Sequence, residues 1–209
     1  MALTAIALNC TLKASGGESS STDKMIGLLV SELKKRGVDF AGTIRVADYN
    51  VKPGVTSDEG ESDDWPELRR RILAADILIF GTPVWLGQPS SIAKRVTERM
   101  DAFLSETDDK GRMPSYGKVA VVAVVGNEDG AHHVSAELFQ GLNDMGWTLP
   151  AGAVCYWVGE AMGKTDFQDL PEIPEKVSST AAMVASNTAH LAALLKERQY
   201  PGVESQATD

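Results

Sequence analysis

Three stretches of the chain carry side chains and glycines suited to holding a ligand. From Asn9 to Thr22 the sequence runs Asn-Cys-Thr-Leu-Lys-Ala-Ser-Gly-Gly-Glu-Ser-Ser-Ser-Thr. Thr11, Lys13, Ser20, Ser21 and Thr22 there have the chemistry of a phosphate site: hydroxyl donors, one point charge, and the start of a helix. A helix N-terminus carries about half a positive charge and unsatisfied N–H donors, so an anion settles there readily. A plain N-cap would use one hydroxyl; this run offers several, directly after an apolar segment. Gly81 to Ser91 reads Gly-Thr-Pro-Val-Trp-Leu-Gly-Gln-Pro-Ser-Ser. The residue before a proline avoids the helical region, so Thr82-Pro83 predicts an extended exit. Pro83, Val84, Trp85, Leu86 and Gly87 could then carry a flat, π-faced ligand, although Trp85 could equally plug the end of a core. The third stretch, Val125 to His133, sets Asn127, Glu128, Asp129, Gly130 and Ala131 in a polar turn before a helix that begins with His132 and His133.

Other chemistries fail on spacing. Adjacent helical histidines point about 100° apart and share no ion without a third ligand, so no metal site is expected. Gly159 to Thr165 approaches a phosphate-binding P-loop, but Val158 stands where the first glycine belongs, and Pro171 and Pro174 follow too soon for the required helix. Cys10 has no arginine before Arg36 to clamp a phosphate as a cysteine phosphatase would, and it reads as a small buried thiol. No G-x-G-x-x-G occurs, so a separate dinucleotide fold is not encoded.

These stretches need a frame that aims them at one place. Short β-branched runs alternate with amphipathic helical stretches, which predicts a parallel sheet. Strands are expected at Leu3 to Asn9, Phe40 to Val46, Asp76 to Gly81, Val119 to Val125 and Ala153 to Val158. Helices are expected from Ser21 or Thr22 to Gly37, Trp65 to Ala74, Pro89 to Leu104, about Val134 to Gly146, and Glu175 to Arg198. Five strands with helices between them predict an α/β flavodoxin-like, doubly wound five-stranded parallel sheet of order 2-1-3-4-5, with helices on both faces. Residues 1–200 form one domain on this reading, and 201–209 a loose polar tail. In such sheets ligands sit at the carboxyl ends of the strands, near the reversal of strand order, and that is where the three stretches fall.

Composition narrows the function classes. The chain has 209 residues and a formal charge of −9, so binding to nucleic acid or to an anionic membrane is not expected. No run approaches the ~20 apolar residues of a membrane span. Two cysteines make no disulfide framework, and the expected setting is cytoplasmic. The acidic residues Asp58, Glu59, Glu61, Asp63, Asp64 and Glu67 read as a solvated loop, with a docking patch for a basic redox partner as the alternative.

On Thr11-Leu12-Lys13 with Ser20-Ser21-Thr22, on Thr82 to Gly87 and on Gly126 to His132, the chain resembles the flavodoxin-like FMN reductases and NAD(P)H:quinone reductases from Leu3 to at least Asp169. The resemblance implies FMN as cofactor, with its phosphate on the first stretch. Pro83 to Gly87 would line the isoalloxazine, and Asn127 to Ala131 would close over its other side. It also implies NAD(P)H as electron donor, a quinone, free flavin or similar small molecule as acceptor, and a homodimer. The flavin would carry the chemistry, so no catalytic side chain is expected, although His132 is a candidate proton donor. The competing reading is a flavodoxin-type carrier of single electrons that has no substrate of its own.

Overall fold

The computed structural model describes residues 2–203. Three strands are buried on both faces and read as nearly unbroken apolar runs: β1 (Leu3–Asn9), β3 (Ile77–Trp85) and β5 (Val119–Gly126). The flanking strands β2 (Val38–Arg45) and β6 (Val154–Val158) alternate buried with exposed positions, as sheet edges do. A two-residue strand, β4 (Gln88–Pro89), folds back antiparallel on the end of β3. The parallel order is β2-β1-β3-β5-β6, which is the expected 2-1-3-4-5 with β4 added off the path.

The sheet alternation divides the core. Ile6, Leu8, Leu78, Phe80, Val122 and Val124 face one way. They pack under α2 (Trp65–Leu73), α3 (Ser91–Met100) and α4 (Ala131–Asp144). Ala5, Ala7, Ile77, Ile79, Val121 and Ala123 face the other way, under α1 (Ser21–Lys34) and α5 (Glu175–Glu197). A period of two along each strand and of 3.6 along each helix makes this layering unavoidable.

Several boundaries differ from expectation for local reasons. β3 runs on through Thr82, Pro83, Val84 and Trp85 because Thr82 and Pro83 pair with Val124 and Val125 of β5. α3 starts at Ser91 rather than Pro89, since the Ser90 hydroxyl accepts the Ala93 N–H 3.1 Å away as an N-cap. Beyond Met100 that helix tightens into a 3₁₀ turn, Asp101–Leu104. The second strand is shifted to Val38–Arg45. Residues 51–64 form a loop as expected, but one anchored inward: the Asp63 carboxylate and the Arg99 guanidinium of α3 meet at 2.7 Å, both fully buried. Val203 N–H donates to Lys110 O at 2.8 Å, and residues 204–209 of the expected tail lie outside the described residues. Among the described residues no helix is long and apolar enough to cross a membrane.

Candidate functional site

The order of the sheet reverses at β1: the chain leaves β1 for β2 on one side and returns to β3 on the other. The carboxyl ends of β1 and β3 therefore splay their loops apart into a crevice. Cys10 N–H still donates to Gly81 O at 2.8 Å, the last bond across the pair, and everything beyond it belongs to the crevice.

The first loop leaves β1 at Cys10. Asn9 is wholly buried; its Oδ1 accepts the Thr11 N–H at 2.9 Å, and its Nδ2 donates to Asp23 at 2.6 Å. Asp23 in turn pairs with Arg45, whose other guanidinium nitrogen donates to Lys13 O at 3.2 Å. The carboxylate in the first turn of α1 is thus neutralised from β2. Further out, Asp48 accepts both the N–H and the hydroxyl of Ser15. These bonds hold its carboxyl below the usual range, the Ser15 hydroxyl more than the N–H. The loop is pinned at both shoulders while its tip, with Gly16 in a left-handed conformation, stands open. Lys13 Nζ lies over that tip, 3.4 Å from Ser19 O and 3.0 Å from the exposed carboxylate of Glu18.

Of the five expected phosphate residues, Ser20, Ser21 and Thr22 stand at the start of α1, Lys13 reaches Ser19 just before it, and Thr11 is buried just beyond β1. Ser20 is the buried N-cap, and its side chain makes no cap bond. Ser21 Oγ accepts the Gln168 N–H at 3.1 Å and so leans toward the far side of the helix. Thr22 is buried, with its methyl against Gly81, where an added Cβ would stand 2.8 Å away. The Ser21 hydroxyl is thus engaged by Gln168, and the methyl of Thr22 faces Gly81. Their backbone N–H groups, in the first turn, have no intrahelical acceptor. A phosphate fits that arrangement: unpaired helical N–H donors, the uncommitted Ser20 hydroxyl, the buried Thr11 and a lysine above.

The second stretch is a hairpin rather than a loop. Leu86 (φ 52°) and Gly87 (φ 72°) form its two-residue turn, both in the left-handed region. Val84 is a core residue and Pro83 a strand residue, so only Trp85, Leu86 and Gly87 stand at the rim. Trp85 is 53% exposed and Leu86 90%, which excludes the alternative that Trp85 plugs the core. Ser90 ties this hairpin to the first loop: its hydroxyl donates to Cys10 O at 2.6 Å, and its N–H donates to Thr82 Oγ1 at 3.1 Å.

The third loop touches the hairpin instead of facing it across a gap. Glu128 Oε1 accepts the Leu86 N–H at 2.8 Å. A Cβ on Gly130 would lie 2.7 Å from Gly87 Cα, so glycine is required there for backbone to meet backbone. The hairpin and the third loop thus meet backbone to backbone along one side of the crevice. Ala131 is buried, and Asp129 accepts the Gly130 N–H at 2.7 Å. Asn127 also turns away from the rim: its Nδ2 donates to Asp166 Oδ1 at 2.9 Å, while its Oδ1 is buried with no partner among the described residues.

Asp166 belongs to a fourth loop that sequence reasoning set aside as a P-loop decoy. Gly159 N–H donates to Gly126 O at 2.8 Å and Met162 N–H to Asn127 O at 3.2 Å, which brings Gly159–Gly163 to the same edge. Met162 there is 96% exposed. Its signal in the sequence was the glycine pair after the last strand, legible once P-loop chemistry had been excluded. Tyr156 of β6 was also missed; its hydroxyl lies 3.1 Å from His132 Nε2 at the start of α4. Among the described residues no group of three metal-binding side chains is gathered.

Comparison with known proteins agrees with this geometry. The profile described as NADPH-dependent FMN reductase matches residues 5–161. The 8-demethyl-8-aminoriboflavin-5′-phosphate synthase of Streptomyces davaonensis is 32% identical over 210 residues, covering 96% of this chain and 81% of that protein. The crystal structure of RosB with bound 8-demethyl-8-formylriboflavin-5′-phosphate superposes with a TM-score of 0.86 at 30% identity, over 96% of this chain and 82% of that one. A divalent metal cation transporter of Mycobacterium bovis, MntH, is 38% identical over 163 residues, 76% of this chain, but the chain spans only 24% of that protein's length. Below 25% identity the likeness is one of fold: an NADH:FMN oxidoreductase superposes at TM-score 0.65 with 16% identity, covering 98% of this chain and 96% of that one. The chain belongs to the NADPH-dependent FMN reductase family of flavodoxin-like oxidoreductases.

Proposed function

We propose that the crevice binds FMN, with its phosphate at the start of α1, and that the enzyme uses NADPH to reduce a small-molecule acceptor. The observation that carries this reading is the convergence of unpaired first-turn N–H groups of α1, the Ser20 cap and Lys13 at the switch between β1 and β3. Thr11 and Lys13 give the phosphate hydroxyl and charge; Ser20, Ser21 and Thr22 offer it backbone and cap groups. Trp85, Leu86 and Gly87, with Glu128, Asp129 and Gly130 behind them, form the wall for the ring. Asn127, Pro83, Val84 and Ala131 support that wall from within.

Bound FMN supplies hydride acceptance and release; the chain's own residues bind, orient and shield. No side chain is required as nucleophile. Leu12, Trp85, Leu86 and Met162 present apolar surface around the rim, which suits exclusion of water from a flat ligand rather than a polar docking face. That fits a small-molecule acceptor. Among acceptors, a riboflavin phosphate fits best with the names of the two relatives matched over nearly the whole chain; a quinone is the alternative. The reading places the enzyme in the cytoplasm, in keeping with two buried unpaired thiols, Cys10 and Cys155, and takes residues 1–200 as one domain.

Steady-state NADPH oxidation, with free FMN, riboflavin and a soluble quinone as acceptors, tests the proposal. Turnover with at least one of them is expected. An FMN-loaded protein that oxidises NADPH with none of them is a carrier, and the enzymatic reading falls.

A further inference from the structure

A second cleft opens where Leu12 of the first loop meets the end of β2 and the start of α3. Its volume is about 260 Å³, and Leu12, Tyr49, Val51, Ile92 and Arg95 are among the residues that line it. Whole small-molecule ligands usually fill about 300–1,000 Å³, so this cleft suits one end of a larger molecule. Arg95 is its only charged lining residue. One guanidinium nitrogen donates to Val51 O at 2.8 Å, and among the described residues no carboxylate pairs with it. The nearest acidic residue on its own helix, Glu98, sits by Lys94 instead. Tyr49 forms an aromatic wall held in place by Arg71, which donates to its hydroxyl at 3.2 Å.

Arg95 is half-buried and, among the described residues, lacks a carboxylate partner, on a chain of charge −9 where acidic groups are plentiful. The larger cleft, about 420 Å³ around Glu106, Asp108 and Arg112, shows the ordinary outcome: Glu106 pairs with Arg69, and Asp108 with Arg112. Guanidinium groups favour phosphate oxygens, to which they donate two parallel bonds, and flat heterocycles stack on aromatic rings.

We infer that this cleft binds a phosphomonoester carried on a heteroaromatic nucleoside, with Arg95 on the phosphate and Tyr49 against the ring. The inference rests on the proposed flavin site, since Leu12 lines the cleft and also stands in the first loop. Two molecules of the proposed reaction carry such a group: the 2′-phosphate of NADPH and the 5′-phosphate of FMN serving as acceptor.

The test uses FMN-loaded protein, wild type, Arg95→Gln and Arg95→Lys. Calorimetric titration compares NADP⁺ with NAD⁺, and steady-state kinetics compare FMN with riboflavin as acceptor. The wild type is expected to prefer the phosphorylated member of one pair by about tenfold or more, the scale of a charged hydrogen bond. Arg95→Gln should abolish that preference while changing the unphosphorylated member less than about twofold, and Arg95→Lys should restore part of it. Loss in the nucleotide pair assigns the donor; loss in the flavin pair assigns the acceptor. A wild type with no preference in either pair overturns the inference, as do equal losses for both members of each pair. Failure of the protein to take up FMN at all would instead bring down the flavin site.

Discussion

Replacing Arg99 with methionine should cost far more than its distance from the crevice suggests. The guanidinium is fully buried, and all its bonds go to one loop: Nε to Thr56 O at 3.0 Å, Nη1 to Lys52 O and Asp63 Oδ1 at 3.0 Å each, Nη2 to Asp63 Oδ2 at 2.7 Å. Methionine fills much of the volume but leaves the Asp63 carboxylate buried without its cation, a defect worth about 3–5 kcal/mol. A chain of this length loses roughly 2–4 °C per kcal/mol, so the melting temperature should fall by about 10 °C. Acid gives a second signature. Burial alone would raise the Asp63 pKa; Arg99 and the N–H groups of Glu59, Trp65 and Lys52 overcome it and hold the carboxyl below its ordinary value. A native pKa below the unfolded one contributes stability above about pH 4, lost as pH falls further. In Arg99→Met burial wins, the native pKa rises above the unfolded one, and lowering the pH from 6 to 4 should narrow the gap from wild type. Urea unfolding at pH 7, 5 and 4 measures both effects, with Arg70→Ala as control, since losing the exposed Arg70–Glu67 pair should change stability far less. A loss below about 1 kcal/mol for Arg99→Met, or a gap that widens in acid, would show that the buried pair does not hold the 51–64 loop.

Other expectations concern the crevice. Gly130→Ala forces a Cβ against Gly87 backbone at φ 134°, so the hairpin and third loop should part; a melting temperature lowered by several degrees and weaker FMN binding are expected, by calorimetry and fluorescence quenching. Lys13→Gln should weaken FMN by roughly three- to tenfold and leave riboflavin unchanged, because only FMN carries the phosphate. Glu18→Gln should do the reverse, strengthening FMN by up to about threefold by freeing Lys13, as the same titration would show. Asn127→Ala removes the side-chain anchor of residues 163–166 and leaves the backbone bonds of Gly159 and Met162, so hydrogen exchange near 163–166 should accelerate while the protection of β5 persists.

Much of this architecture was legible in the sequence because it follows from periodicity. β1, β3 and β5 announce themselves as apolar runs, the helix stripes are regular, and sheet order follows from alternation of the two. What escaped was set by contacts between distant residues. The continuation of β3 through Thr82-Pro83 depends on its pairing with Val124 and Val125 of β5, and the two-residue β4 is too short to leave a pattern. The acidic segment looked solvated because nothing local marks Asp63 as the partner of an arginine 36 positions on. The candidate site was legible as loops but not as directions: residue types singled out Thr11, Ser20 and Trp85 as candidates, while only the fold reveals that Thr22 and Val84 are buried and that Asn127 serves a fourth loop.

The proposed flavin chemistry depends on one corner of the fold, where the start of α1 meets the β1 loop. Fluorescence titration of the apoprotein with FMN and with riboflavin interrogates it most directly. FMN is expected to bind at least about tenfold more tightly, the difference arising from the phosphate alone. Equal affinities, or no quenching by either flavin, would contradict a phosphate site at that helix.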